Sequence, residues 1–467
     1  MQPFRYHVFA CDQCKPEGAP CCSERGAAAV IEALRGEVAA RGLIDAVQVT
    51  TCGSIGLCER GPNLVVYPDG VWYSGVTPAD VPEIVAEHFQ NGRPVERLMN
   101  RDAAAVRREI TEARTRGMTA FKAREAAGVV PDDLMETIRG YQTSRVLLTA
   151  VELDLFSAIA RAAGTATADR VAVELTTDPR ATEALLNALV ALGALTKTGR
   201  LFANTPVASR FLVAGFPDDA RMALRHNLSL WATWSMLTEC VCSGHAAARS
   251  DMGARGEDWT EPFIAAMHRN AALRAPVVVN AVGPEAVGRL LDVGGGSGAY
   301  AIAFARANPS LRADVFDLAT VVRIAARHID EAGVGDRVRT RIGDLRTDAF
   351  GSGYDVVLLS AICHMLGPAE NRDLLRRAHQ SLAPGGRVVI QDHVMDAGKT
   401  VPRSGALFAI NMLVGTANGS TYSEEEYTAW LREAGFVDVR HFTLVGPSDL
   451  IVARRPPSTS TSSSPNP

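Results

Sequence analysis

No apolar run in this sequence approaches the ~20 residues that a membrane-spanning helix needs, and the opening MQPFRYHVFACDQC lacks the apolar core of an export signal. Cations are not in excess. With 48 Lys and Arg against 52 Asp and Glu, the formal charge is −4, and a pI near 6.2 leaves no electrostatic footprint for nucleic acid. Composition excludes a disordered chain, since 47% of the 467 residues are hydrophobic and 21% are charged. The CxxxCxxC motif of radical iron–sulfur chemistry is absent. These exclusions predict a soluble, cytoplasmic protein of several domains, with neither a membrane nor a nucleic acid as partner.

Cysteine is scarce over most of the chain. Six of nine (Cys11, Cys14, Cys21, Cys22, Cys52, Cys58) crowd into the first 58 residues, and the other 409 hold only Cys240, Cys242 and Cys363. Such crowding without an export signal points to metal or redox chemistry more than to structural disulfides.

Periodicity divides the chain. Residues 5–100 alternate strand and helix signals: RYHVFAC, a helix over 27–41 with Val30, Ile31, Leu34 and Val38 on one face, AVQVTTC, and a hairpin turning at Pro68, Asp69 and Gly70. A last helix opens at Thr77, with Pro78 in its first turn. Residues 101–128 are charged, Ala-rich and helical, a linker closed by Pro131. Residues 134–250 read as helices with one hairpin at 195–205, a winged-helix pattern. Its recognition-type helix (181–192) carries no cation, which favours dimerisation or a substrate wall over DNA. From 288 to 455, GRLLDV, RADVFDL, RVRTRIGDL, YDVVLLS and GGRVVIQDHVM alternate with helical stretches, as in a parallel sheet covered on both faces. The tail from Arg454 is of disordered composition.

LLDVGGGSGA (290–299) is a buried strand running into a glycine loop that opens a helix, where glycine permits a sharp turn and close ligand approach. Gly294, Gly296 and Ala299 satisfy even the loose dinucleotide fingerprint. Three acids distinguish the cases. Asp292 stands at the strand end, where a carboxylate suits an ammonium and repels a pyrophosphate. Asp317 closes the second strand and can accept from ribose hydroxyls; Asp344 closes the third, placed for an adenine amino group. A zwitterion, a ribose and an adenine in one crevice describe S-adenosylmethionine. After the fourth strand, His364 is a candidate base for a phenolic proton, with Asp392 at the end of the fifth to orient it.

On these residues, 134–455 resembles the dimeric class I small-molecule O-methyltransferases of the caffeate, acetylserotonin and polyketide type. The resemblance implies that Asp292, Gly294, Gly295, Gly296 and Gly298 hold the methionine part of S-adenosylmethionine. It places Asp317 and Leu318 at the ribose, Asp344 and Leu345 at adenine, and Ser360 at the cofactor's edge, with His364 as base and Asp392 as its supporting carboxylate. Two departures stand out. The Asp-Trp that follows the family's histidine is Met365-Leu366, and the family's second supporting glutamate falls at Thr421. His226, Trp231, Trp234, Met236, Trp259, Phe263, Met267 and His268 are candidate acceptor-pocket residues.

Residues 5–100 resemble the thioredoxin-like [2Fe-2S] ferredoxins through HVFAC, CxERG, CERGPNLVVYPDGVWYSGVTPADVPEIVAEHF and VERLM. That resemblance implies a [2Fe-2S] cluster on Cys11, Cys22 and Cys58. Cys52 would complete the set, because the third position is Ser54. The expected α/β architecture is then a thioredoxin-like ferredoxin domain (1–100), a helical linker (101–133), an all-α winged-helix-type dimerisation and substrate domain (134–275), a Rossmann-like methyltransferase domain (276–455) and a disordered tail (456–467). The expected activity is methyl transfer to a hydroxyl of a small aromatic or polyketide-like metabolite by a homodimer, with a redox partner protein for the first module. The two departures keep open an alternative, an S-adenosylmethionine-binding hydroxylase or oxidoreductase fed by the ferredoxin module.

Overall fold

Alternating burial along YHVFAC makes Tyr6–Cys11 the first strand (β1) of the computed structural model, which describes residues 3–14, 21–126, 132–216, 218–247 and 257–458. The chain divides into two units, Met1–Gly140 and Tyr141–Pro467.

In the first unit β1 pairs parallel with β2 (Val47–Cys52) and antiparallel with β3 (Asn63–Tyr67), which pairs antiparallel with β4 (Val71–Ser74). The order is β2-β1-β3-β4. Between β1 and β2, α1 (Ala27–Ala40) buries Ala27, Val30, Ile31, Leu34 and Val38, the stripe its spacing predicts. The hairpin turns where expected, with Gly70 at φ 65°. Thr77 and Asp80 form a capping box that starts α2 (Val81–Glu83), and the chain continues as a π-helix, Ile84–Gln90. α3 (Ala103–Ala126) is the charged helix that follows.

Next come α4 (Asp132–Glu152), α5 (Leu155–Arg161), α6 (Ala168–Leu175), α7 (Pro179–Ala191), the hairpin β5 (Leu195–Thr198) and β6 (Leu201–Asn204), α8 (Pro206–Leu212), α9 (Arg221–Ser235), α10 (Leu237–Ser243) and α11 (Glu257–Val282). The Asp178 side chain caps α7, and Leu186 and Leu189 bury against Phe156 and Phe202. The helix–helix–hairpin pattern is therefore present.

The remainder alternates strand and helix: β7 (Arg289–Val293), α12 (Ala299–Ala307), β8 (Arg312–Asp317), α13 (Ala319–Glu331), β9 (Val338–Ile342), β10 (Tyr354–Ser360), α14 (Pro368–Ser381), β11 (Leu382–Asp392), β12 (Val394–Met395), α15 (Arg403–Gly415), β13 (Tyr422–Ser423), α16 (Glu424–Glu433), β14 (Val437–Phe442) and β15 (Asp449–Arg454). Seven strands form one sheet in the order β14-β15-β11-β10-β7-β8-β9. β8, β7, β10 and β11 are buried almost throughout. The order reverses between β7 and β10, the switch point at which open α/β sheets bind ligands.

Three details differ from the sequence reading. α11 runs unbroken through residues 275 and 276, where a domain boundary was expected. GGRVVIQDHVM is two strands rather than one, because Asp392 turns its carboxylate back onto the His393 N–H (2.8 Å) and interrupts the ladder. β9 ends at Ile342, and Asp344 follows it past Gly343, whose N–H bonds the Asp317 carbonyl (3.0 Å). A side chain at 343 would lie 2.3 Å from the Phe316 ring. Residues 459–467 of the expected tail lie outside the described residues. Among the described residues no helix is long and apolar enough to cross a membrane.

Candidate functional site

β7 delivers Asp292 fully buried at the centre of the sheet, then breaks into the loop 294–298. The Gly294 N–H bonds the Phe316 carbonyl of β8 (2.7 Å), and Gly294, Gly296 and Gly298 all take positive φ. A Cβ on Gly294 would sit 2.4 Å from Ile362, and one on Gly295 would sit 2.8 Å from the Asp292 carboxyl carbon. The loop is thus a close-walled cradle that side chains would fill.

The acids around it differ in how well the protein satisfies them. Neither carboxylate oxygen of Asp292 completes a hydrogen bond. Burial pushes its pKa up to about 7, against a downward pull from the Ala301 N–H. Asp317 is half-buried; one oxygen accepts from the Gly296 N–H (2.9 Å) and the other from the Leu318 N–H (2.7 Å), yet desolvation still raises its pKa to about 6. Asp344 accepts from the Arg346 N–H (2.8 Å), and Leu345 packs beside it against the core. The structure brings Asp292, the glycines, Asp317, Leu318, Asp344 and Leu345 together at the carboxyl ends of β7, β8 and β9. The residues fit a zwitterionic nucleoside: an orphaned buried carboxylate meets an ammonium, and the cradle admits close backbone approach. Ser360, expected at the same site, is instead tied through its hydroxyl to the Gln391 amide oxygen (2.5 Å).

His364 lies in the turn after β10, 8% exposed, with its Nδ1 2.7 Å from Asp392 Oδ1 and its backbone N–H 3.1 Å from Oδ2. Nδ1 therefore carries the hydrogen of the neutral ring, leaving Nε2 as the basic nitrogen. Burial alone would raise the Asp392 pKa. The His364 ring and the His393 N–H outweigh it and hold the carboxyl below its ordinary value. Phe408 of α15 meets His364 edge-on, with centroids 4.8 Å apart. Thr421 is buried, and its neighbour Ser420 donates its N–H to the His364 carbonyl (2.9 Å). Among the described residues, Asp392 is the one carboxylate that supports the imidazole.

Most of the acceptor-pocket candidates lie on α9 and α11, which pack against each other, and α9 also meets α15. Trp234 donates from Nε1 to Asn411 of α15 (2.9 Å), and His226 packs edge-on against Phe263. Trp231 faces the Arg145 guanidinium, Met236 is largely exposed and Met267 half-buried. His268 serves the cofactor loop instead: its Nδ1 lies 2.8 Å from the Ser297 hydroxyl, and its ring stacks on His328. The Trp259 side chain lies outside the described residues. Sequence reading missed His393, stacked on Phe408 at 4.2 Å, although its adjacency to Asp392 was a usable signal. It also missed Arg274, which no local pattern marks.

The cysteines of the first unit gather at one end of its sheet, but as partners of one another. Cys11 and Cys52 end neighbouring strands in register. The Cys22 thiol, with help from the Gln13 and Ile55 N–H groups, lowers the Cys11 pKa to about 6, while Cys22 itself is raised. Asn63 also donates to Cys22 (3.4 Å), and Cys58 pairs with the Ser54 hydroxyl (3.1 Å). Burial raises the Cys52 thiol. Among the described residues no three metal-ligating side chains stand together as one metal site requires. Of the expected [2Fe-2S] set, Cys11 and Cys52 end neighbouring strands, Cys22 interacts with Cys11, and Cys58 shares its hydrogen bond with Ser54.

Comparison with known proteins bears on the second unit. An O-methyltransferase domain family matches residues 241–437, and an O-methyltransferase dimerisation domain family matches residues 135–214. The chain is 35% identical over 323 residues to 3-hydroxy-5-methyl-1-naphthoate 3-O-methyltransferase of Streptomyces sahachiroi, covering 68% of this chain and 92% of that one. It is 32% identical over 343 residues to the tetracenomycin polyketide synthesis 8-O-methyl transferase of Streptomyces glaucescens, covering 70% and 97%. The structure of human N-acetylserotonin methyltransferase in complex with SAM superposes with a TM-score of 0.63 at 25% identity, covering 69% of this chain and 96% of that one.

Proposed function

Because the chain belongs to the S-adenosylmethionine-dependent small-molecule O-methyltransferases, we propose that it methylates a hydroxyl of an aromatic or polyketide-like metabolite, with His364 as general base. The observation that carries the reading is the His364–Asp392 contact of 2.7 Å, at the end of the same sheet that bears the orphaned Asp292.

S-adenosylmethionine, when bound, supplies an electrophilic methyl group on a sulfonium. Asp292 and the loop 294–298 would hold its aminoacyl end, Asp317 and Leu318 its ribose, and Asp344 and Leu345 its adenine. His364 Nε2 takes the hydroxyl proton as the acceptor oxygen attacks, and Asp392 stabilises the imidazolium that forms. General-base assistance of this kind contributes about 10²–10⁴-fold. Phe408, edge-on to the His364 ring, supplies an aromatic wall for a flat acceptor. The match to a dimerisation domain supports a homodimer.

The order β2-β1-β3-β4 of the first unit supports a thioredoxin-like reading of that unit. No electron-transfer step enters the proposal. The dyad favours methyl transfer over the hydroxylase alternative, whose sequence support was the altered surroundings of His364.

The test uses methyl-labelled S-adenosylmethionine with hydroxynaphthalene and anthraquinone acceptors. Label should enter an acceptor hydroxyl, and His364→Ala should reduce the rate at least 100-fold while leaving binding of S-adenosylhomocysteine intact. Oxygen uptake coupled to product formation, without homocysteine-type product, would overturn it.

A further inference from the structure

Arg274 is the cation of the site without a counter-charge. It lies on the inward side of α11, half-buried between exposed Leu273 and buried Ala275. Its one hydrogen bond among the described residues runs from Nη1 to the Ser448 hydroxyl (2.8 Å), and no carboxylate pairs with it. A guanidinium offers five donors in a planar fork, so most of this one's capacity is unused.

The groups around it do not absorb that capacity. Ser448 also accepts from the Gln391 amide (2.5 Å), which fills the hydroxyl's acceptor positions and leaves it a donor. Gln391 in turn accepts from the Tyr300 hydroxyl (2.9 Å) and from Ser360 (2.5 Å). The Gln391 amide oxygen and the Ser448 hydroxyl oxygen each accept two hydrogen bonds, and the donors left over include those of Arg274 and Ser448. A half-buried surplus of donors with a full positive charge calls for an anion that accepts from both.

Two carboxylates can reach a crevice of this kind, the acceptor's and that of the cofactor's methionine. Position favours the first. Ser448 leads into β15, three strands from β7 and its glycine loop, or roughly 14 Å at the usual strand spacing. Gln391 and His393 flank Asp392, and the charge of Arg274 reaches the His393 ring. Ser448 thus stands next to the end of β11, the strand that carries Asp392, while the charges of Arg274 and Asp292 both reach Tyr300.

We propose that Arg274, with Ser448, binds a carboxylate of the methyl acceptor, so that the substrate is a hydroxylated aromatic acid. The inference rests on the methyltransferase reading for the identity of the acceptor, and on the surplus donors for its charge.

The probes are a hydroxynaphthoate and the naphthol that lacks its carboxylate. Each is titrated calorimetrically into the full chain with S-adenosylhomocysteine bound, and each is assayed for label transfer. The wild-type protein should bind the acid at least tenfold more tightly than the naphthol. Arg274→Met should collapse the acid-to-naphthol ratio of kcat/KM at least tenfold through KM, and Arg274→Lys should restore part of it, since it keeps the charge without the fork. A wild-type protein that prefers neither ligand overturns the proposal without recourse to any variant. So does an Arg274→Met protein that melts normally but loses S-adenosylhomocysteine affinity as much as acid affinity, which assigns the guanidinium to the cofactor. Acid binding that depends on Arg274 without label transfer would defeat the methyltransferase reading and support this one.

Discussion

The two ends of this chain each present a cluster of ionisable groups at one edge of a sheet, and they differ in what those groups do with their bonds. At the carboxyl edge of the large sheet, Asp292 is buried beside the glycine loop with both oxygens unsatisfied, and Arg274, bonded to Ser448 at the start of β15, is half-buried with no carboxylate partner among the described residues. At the cysteine end, Cys11 takes its hydrogen bond from Cys22, Cys22 takes one from Asn63, and Cys58 pairs with Ser54. A motif whose members leave polar groups unpaired in a buried place is shaped for a ligand, because the desolvation cost of those groups is offset only when the ligand arrives. At the cysteine end, Cys11, Cys22 and Cys58 find hydrogen-bond partners within the first unit.

The largest effect should come from filling the glycine cradle with a side chain. Gly295→Val places a branched side chain where even a Cβ lies 2.8 Å from the Asp292 carboxyl carbon and 2.9 Å from Val315. Calorimetry should find S-adenosylhomocysteine binding weakened more than 100-fold, with an unfolding midpoint shifted by the few degrees that overpacking by about 1–3 kcal/mol produces. Unimpaired binding would mean that the loop is not the cradle. Asp392→Asn comes second: it keeps the shape but removes the charge that stabilises a protonated His364, and should lower kcat about 10²-fold with KM little changed. A fall in KM affinity with unchanged kcat would make Asp392 a binding group instead.

Third is a pH effect whose sign follows from Asp292. Its pKa is raised from 3.8 to about 7, so between those values the folded protein holds a proton there that the unfolded chain has released. Folding stability from this group is therefore present at acid pH and lost as pH rises towards 7. An ammonium ligand needs the carboxylate, so binding expels the proton, and S-adenosylhomocysteine affinity should fall as pH drops below about 7, by up to tenfold per unit. Titrations in buffers of different ionisation enthalpy should detect proton release at pH 6. Proton-neutral binding there would break the pairing of Asp292 with the ligand.

Legibility in the sequence followed the range of the interactions involved. The β7 strand, its glycines and Asp317 were readable because strand, turn and acid are neighbours in sequence, and the parallel sheet imposes one geometry on them. The hairpin at Gly70 and the stripe on α1 were readable for the same local reason. Arg274 was not, because its meaning depends on Ser448, 174 residues away, and on the lack of an acid nearby. The partner of the Ser360 hydroxyl was not legible either, because a strand-end hydroxyl can face a ligand or a neighbouring strand, and here it donates to Gln391 on β11. That Ser54 stands where the resemblance implies a thiol was legible in the sequence, but its hydrogen bond to Cys58 was not.

The smallest effect tests the other side of the comparison. If the cysteine end is self-satisfied, the low pKa of Cys11, about 6 against an ordinary 9, is the work of Cys22 before anything else, with the Gln13 and Ile55 N–H groups as lesser contributors. Cys22→Ala removes the principal donor and leaves the two backbone groups in place. Thiolate absorbance at 240 nm, taken as the difference from a Cys11→Ser protein, should then titrate well above its wild-type midpoint, part of the way back towards 9. The raised pKa of Cys52 should relax slightly in the same variant, since part of its shift comes from charge on Cys11, which a higher Cys11 pKa removes at neutral pH. An unmoved Cys11 midpoint would show that the backbone N–H groups hold the thiolate by themselves. A thiolate stabilised by its own loop, with Cys22 free to bond elsewhere, would be an open site, and the contrast between the two ends of the chain would fail.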